Sequence, residues 1–75
     1  MTLAQYLAEL GQELVAAGEE AESLSFVYRA LNKLSFTDFV LKLQTEVSLE
    51  DREQLKAIQE QLLAHKPAQY IIGSS

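Results

Sequence analysis

The apolar residues among positions 1–15 fall at the spacing of one secondary structure. Leu3, Tyr6, Leu7, Leu10, Leu14 and Val15 recur three and four residues apart, with Gln5, Glu9, Gln12 and Glu13 between them. Such spacing gathers the apolar side chains on one stripe of a helix. The same period returns further along the chain, and no stretch alternates apolar with polar as a half-buried strand does. A chain patterned this way must bury helical stripes against one another. The expected fold class is therefore all-α, a small bundle of four main helices with a short C-terminal turn.

The punctuation places those helices. Thr2 is a plausible N-cap for the first, Gly11 would suit a close helix approach, and Gly18 supplies the left-handed residue that ends it. Glu19, Glu20 and Glu22 then open the second helix, where the positive end of the helix dipole favours carboxylates. Its expected buried stripe is Ala21, Leu24, Val27, Tyr28 and Leu31, with Phe26 and Leu34 at the margins. A break over residues 32–35 is expected, with Asn32 as the residue tolerant of positive φ. Thr37 is the next capping candidate, with Phe36 and Leu41 as a hydrophobic staple around a short helix over residues 38–44. Ser48 caps the last long helix, Asp51 stands at its capping-box position, and Leu55, Ile58, Leu62 and Leu63 form its stripe. Pro67 ends that helix.

A chain of 75 residues makes one domain at most. At this size a protein buries only about 60% of its unfolded surface, so its stability is marginal. The apolar content of 48% and charged content of 23% speak against wholesale disorder. Cysteine is absent and His65 is the single histidine, which excludes disulfide scaffolds, thiolate metal sites and multi-histidine centres. No run approaches the roughly 20 apolar residues of a membrane span, and the start lacks a secretory pattern, so a cytoplasmic location is expected. Net charge is −5, residues 1–22 hold no lysine or arginine, and the bases elsewhere are scattered. Direct nucleic-acid binding is thereby disfavoured, whereas a basic protein partner is compatible.

Little in these residues carries chemistry. The glutamates near position 20 read as a helix start rather than as metal ligands, and His65 reads as a solvated residue in the last turn of the long helix. Neither a nucleophile elbow nor a phosphate-binding glycine loop is present. No catalytic residue, metal ligand or cofactor contact is assigned within the chain. Glu22-Ser23-Leu24 superficially resembles the phosphopantetheine attachment motif of acyl carrier proteins. The match fails because the acidic residue is glutamate and the long loop of carrier domains is missing. A helix-turn-helix reading fails as well, since residues 38–44 offer only Lys42 as a base.

The C-terminal stretch is more specific. After Lys66, Pro67-Ala68-Gln69-Tyr70-Ile71-Ile72-Gly73 breaks the helix, sets large apolar residues in a row and turns. It resembles the motif that closes the N-terminal domain of HemK-type (PrmC) peptide-chain release factor glutamine methyltransferases, with Pro67, Gln69, Tyr70, Ile71, Ile72 and Gly73 matching and Lys66 at the basic position. Gly18-Glu19-Glu20-Ala21-Glu22 is similar, more loosely, to the acidic opening of that family's second helix.

The resemblance implies a parent enzyme that transfers a methyl group from S-adenosylmethionine to the glutamine of a Gly-Gly-Gln tripeptide in release factors. The glycine-rich cofactor loop and the Asn-Pro-Pro-Tyr motif of such enzymes are not in this chain. The fragment is therefore expected to be inactive alone and to hold no cofactor. Residues 1–66 would be the substrate-recognition bundle, its partners the release factor and its own catalytic domain. Residues 67–75 would begin the linker to that absent domain. Pro67, Tyr70, Ile71, Ile72 and Gly73 are the candidate interdomain contacts, although Tyr70, Ile71 and Ile72 could equally cap the bundle's own core. A stand-alone acidic helical interaction module is the competing reading; the gene downstream of Ser75 would distinguish the two.

Overall fold

In a computed structural model, described over residues 1–73, five helices follow one another: α1 (Leu3–Ala16), α2 (Ala21–Asn32), α3 (Phe36–Leu43), α4 (Leu49–Leu63) and α5 (Ala68–Ile72). The fold is all-α, and no strand occurs among the described residues. Helix α2 is the hub, packed on α1, α4 and α5. The core is one cluster: Leu3, Leu10 and Leu14 of α1, Leu24, Val27 and Tyr28 of α2, Leu55, Ile58 and Leu62 of α4, with Val47 and Ile71. Burying each large side chain is worth about 1.5–3 kcal/mol. The packing of these stripes, rather than helix propensity, therefore holds so small a bundle together.

Both expected caps of the long helices form. Thr2 closes a full capping box: its hydroxyl accepts from the Gln5 N–H at 3.2 Å while its own N–H donates to Gln5 Oε1 at 2.9 Å. Ser48 accepts from the Asp51 N–H at 3.1 Å. Helix α3 begins earlier than the sequence suggests. Ser35, not Thr37, is its cap, accepting from the Asp38 N–H at 3.1 Å. Phe36 thus becomes the first helical residue. It is 69% exposed and Leu41 is 61% exposed, so the expected staple between them does not form. Half-buried Leu34 and Phe39 take the staple positions around Ser35 and pack on the core.

Helices α1, α2 and α4 end in the same way. In each, a left-handed residue lets two successive N–H groups turn back onto the last carbonyls. Gly18 at φ 86° does this after α1, with Gly18 N–H to Val15 O at 3.0 Å and Glu19 N–H to Leu14 O at 2.8 Å. Lys33 at φ 54°, not Asn32, does it after α2. Asn32 remains helical and sends its amide to Gln54 Oε1 at 2.9 Å. After α4 the left-handed residue is His65 at φ 65°, so the helix stops before His65 and ahead of Pro67. Backbone hydrogen bonds from Leu3 to Thr45 and from Val47 to Met1 tie the N-terminus to the α3–α4 connector, where Val47 is buried.

Two residues of the expected α2 stripe lie outside the core. Ala21, first in the helix, and Leu31, in its last turn, are exposed, because α2 buries only the arc through Leu24, Val27 and Tyr28. None of the five helices is long and apolar enough to cross a membrane.

Candidate functional site

The C-terminal stretch folds as a single turn of helix laid on α2 and α4. Pro67 caps it with extended backbone, and its carbonyl accepts from Tyr70 N–H at 3.0 Å and Ile71 N–H at 3.2 Å. Gly73 closes the turn by donating to Gln69 O at 2.8 Å. A Cβ at Gly73 would stand 3.1 Å from that same carbonyl, so close approach, not an unusual φ, favours glycine here. Of the apolar residues, Ile71 is 6% exposed and belongs to the core, while Ala68 and Ile72 pack against it from the side. Tyr70 points away and is 64% exposed, and Pro67 and Gly73 are exposed too. The stretch therefore has a face sealed to its own bundle and a face turned outward. Ser74 and Ser75, the end of the expected linker, lie outside the described residues.

A second feature, invisible to periodicity, sits where α2, α3 and α4 meet. The Tyr28 hydroxyl donates to Asp51 Oδ1 at 2.9 Å, and Lys42 Nζ lies 3.6 Å from the same oxygen and 5.6 Å from the Tyr28 ring centroid. Tyr28 is fully buried and Asp51 nearly so. Burial raises the Tyr28 phenol above its ordinary 10.0; the Lys42 ammonium opposes that rise and the Asp51 carboxylate adds to it. Lys42 is raised above 10.5, chiefly through its contact with Tyr28, with burial working against the rise. Asp51 was expected to complete a capping box, but its side chain turns inward to Tyr28 instead. A carboxylate of that length on the first turn of α4 meets the phenol directly. Arg29 stacks between Phe36 and Phe39, 5.7 and 5.6 Å from their ring centroids, and so holds α3 against α2. These groups fasten helices; the cluster is closed rather than open to a substrate.

The residues weighed for chemistry at the sequence level are dispersed. Glu19 faces His65, with Oε2 2.9 Å from Nδ1, which links the α1–α2 turn to the end of α4. His65 is thus exposed to solvent as expected, but it lies past the helix rather than in its last turn and is paired with Glu19. Ser23 lies in the first turn of α2. Among the described residues no group of three or more acidic, histidine or cysteine side chains could hold a metal ion.

The surface formed by α1 and the start of α2 is different in kind. Between the two helices runs a shallow apolar groove lined by Leu7, Ala8, Gly11, Gln12, Val15 and Ala21. It continues past Ala4 and Ser25 to Leu43. Val15 is 60% exposed along it. A Cβ on Gly11 would meet the Ala21 methyl at 3.1 Å, so the helices approach closely at that point. Charge is distributed just as unevenly. Residues 1–28 hold five glutamates and no lysine or arginine, while residues 29–75 hold six acidic and six basic residues. The whole formal net charge of −5 therefore resides in α1, the turn after it and the front of α2. Glu19 and Glu20 stand at the Val15 end of the groove, and Glu22 borders both that end and the stretch toward Leu43. The signal for this surface was present in the sequence as the base-free opening stretch. What was missing was the knowledge that α2 would leave Ala21 uncovered.

Comparison with known proteins gives these surfaces a context. Residues 5–73 match the family model described as the PrmC N-terminal domain. The chain is 58% identical over 76 residues to a release factor glutamine methyltransferase from Streptococcus pneumoniae, covering all of this chain and 27% of that protein. It is 36% identical over 62 residues to a release factor glutamine methyltransferase from Enterococcus faecalis, covering 83% of this chain and 22% of that protein. The chain thus spans about a quarter of the length of these curated relatives. No solved structure matches significantly.

Proposed function

The chain belongs to the PrmC N-terminal domain family, and from that membership we propose that it is the substrate-recognition domain of a cytoplasmic, S-adenosylmethionine-dependent protein-(glutamine-N5) methyltransferase. The parent enzyme would modify the Gly-Gly-Gln glutamine of peptide-chain release factors. The observation that carries this reading is the family match over residues 5–73, joined to 58% identity with a curated relative of that name across the whole chain.

The residues of this chain do not fit the cofactor. A dinucleotide-type site needs a glycine-rich turn between a strand and a helix. The glycines here lie against Ala21 inside α1, in the cap of α1 and after α5, and no strand precedes any of them. S-adenosylmethionine would be held by a catalytic domain elsewhere in the parent protein. The work left to residues 1–66 is to bind and orient the protein substrate. Orienting a reactive amide within a few tenths of an ångström is worth several kcal/mol of barrier when it is done before the chemical step.

The stretch Pro67–Gly73 would join the two parts. Ile71 and Ile72 anchor it to the bundle, while Tyr70, with Pro67 and Gly73 beside it, offers the catalytic domain an exposed aromatic face. The test is methyl transfer from S-adenosylmethionine to a purified release factor by the parent enzyme. The expected result is transfer to the Gly-Gly-Gln glutamine by the whole protein and none by residues 1–75 alone. A folded parent protein that leaves the release factor unmethylated refutes the reading. Replacing Tyr70 by alanine should leave the melting of residues 1–75 unchanged and loosen the coupling between the domains. Uncoupled melting transitions in the whole protein would report that loosening.

A further inference from the structure

Resting on the recognition role above, we propose that the groove between α1 and α2 seats a basic amphipathic helix of the release factor. Three observations converge. The groove is apolar, and its exposed floor is made of small residues, Ala4, Ala8 and Ala21, which allow another backbone to come close. From Ala4 to Val15 its length along α1 is about 16 Å, the rise of three helical turns. Taller side chains, Leu7 and Val15 on α1 and Leu43 on α3, rise beside that floor, so a third helix can pack a ridge into it.

Charge then selects the occupant. Among the described residues Glu20 and Glu22 are exposed with no ion-pair partner, and the first base in the chain is Arg29. Glu19 is the carboxylate already held, by His65. A helix with a short apolar ridge flanked by lysine or arginine would bury Val15 and neutralise two free carboxylates at once. A neutral or acidic helix would gain only the first of these. Complementary rim charges act mainly on association rate and on salt dependence, so the binding should weaken as ionic strength rises.

The experiment uses the parent enzyme, with methyl transfer to the release factor as readout. Two variants are made: Ala8→Arg, which places a bulky cation on the groove floor, and Glu20→Gln with Glu22→Gln, which removes the free carboxylates. Leu41→Ser with Leu49→Ser, both exposed and outside the groove lining, is the control. Melting curves confirm that each variant folds. The expected outcome is about a tenfold or larger rise in KM at unchanged kcat for both groove variants, a weaker salt dependence for the double glutamine variant, and neither effect in the control. A tenfold change corresponds to about 1.4 kcal/mol of binding. In parallel, amide resonances of residues 1–75 are followed as the release factor is added, with shifts expected at Leu7, Ala8, Gly11, Val15 and Ala21.

Wild-type kinetics in both groove variants, or shifts that centre on α3 instead, overturn the groove while leaving the recognition role in place. Groove amides already shifted in the parent enzyme without release factor would assign the groove to the catalytic domain, which also overturns it. Absence of methyl transfer by folded wild-type parent protein refutes the underlying reading itself.

Discussion

The phenol of Tyr28 and the carboxylate of Asp51 meet at 2.9 Å between α2 and α4, both out of solvent. Twenty-three residues of chain separate them, and each solves the other's problem. A buried hydroxyl without a partner and a buried carboxylate without a donor are both costly. Paired, with Lys42 close by, they fix the register of α4 against α2 and draw α3 onto both.

Removing either partner should therefore cost different amounts. Tyr28→Phe keeps the ring and deletes the donor, and should lower stability by about 1–2 kcal/mol. Asp51→Ala leaves the phenol stranded and Lys42 without its anion, and should cost about 2–3 kcal/mol. Urea unfolding of the single variants measures both. Equal small losses, below half a kcal/mol, would mean that water reaches the cluster freely.

The same cluster predicts alkaline sensitivity. Tyr28 and Lys42 both titrate above their ordinary values in the folded chain. A raised folded value means that the folded state holds its proton more tightly than the unfolded chain does. The stabilisation is complete below about pH 10, where the unfolded groups are still protonated, and fades as pH climbs through the folded values. Melting temperature should fall between pH 9 and 11 more steeply for the wild type than for Tyr28→Phe. Parallel curves for the two proteins would contradict this origin.

Gln59 offers a sharper contrast. It is 1% exposed and its amide donates to Leu10 O at 3.1 Å and Glu13 Oε1 at 2.9 Å. The Leu10 carbonyl retains its helical partner, and Glu13 reaches water. Gln59→Leu should accordingly be neutral within about 1 kcal/mol, since no buried group is orphaned. Gln59→Ala should cost about 2 kcal/mol through the cavity it leaves. If leucine proved as harmful as alanine, the hydrogen bonds rather than the volume would be what α1 and α4 require.

The C-terminal turn should divide by residue. Ile71→Ala removes a core side chain and should cost about 2–3 kcal/mol, lowering the melting temperature by roughly 10 °C or more in a domain this small. Tyr70→Ala touches an exposed ring and should stay within about 0.5 kcal/mol. Thermal melts of residues 1–75 decide it. A large loss at Tyr70 would mean that the ring covers the bundle rather than awaiting a neighbour.

Much of this protein could be read from its residues because the relevant physics is local. Thr2, Gly18 and Ser48 act within four residues of themselves, and an apolar stripe needs only its own helix to exist. Where two local signals compete, tertiary packing decides between them. Ser35 and Thr37 can both cap, and Ser35 won because it sets Leu34 and Phe39 toward the core. Asn32 and Lys33 can both end α2, and Lys33 took the left-handed turn while Asn32 stayed helical to reach Gln54.

By itself, then, the sequence determined the order of the main helices, the centre of each buried stripe though not its edges at Val15, Ala21, Leu31 and Leu63, the acidic character of the opening segment and the family its tail announces. Tertiary structure alone decided which buried polar groups meet, that the tail has an anchored face at Ile71 and an open one at Tyr70, and that the base-free surface carries an apolar groove. The reason is the range of the interactions. Helical period and capping act over one turn of chain, whereas a hydrogen bond across 23 residues or a groove between two helices exists only after the stripes have packed.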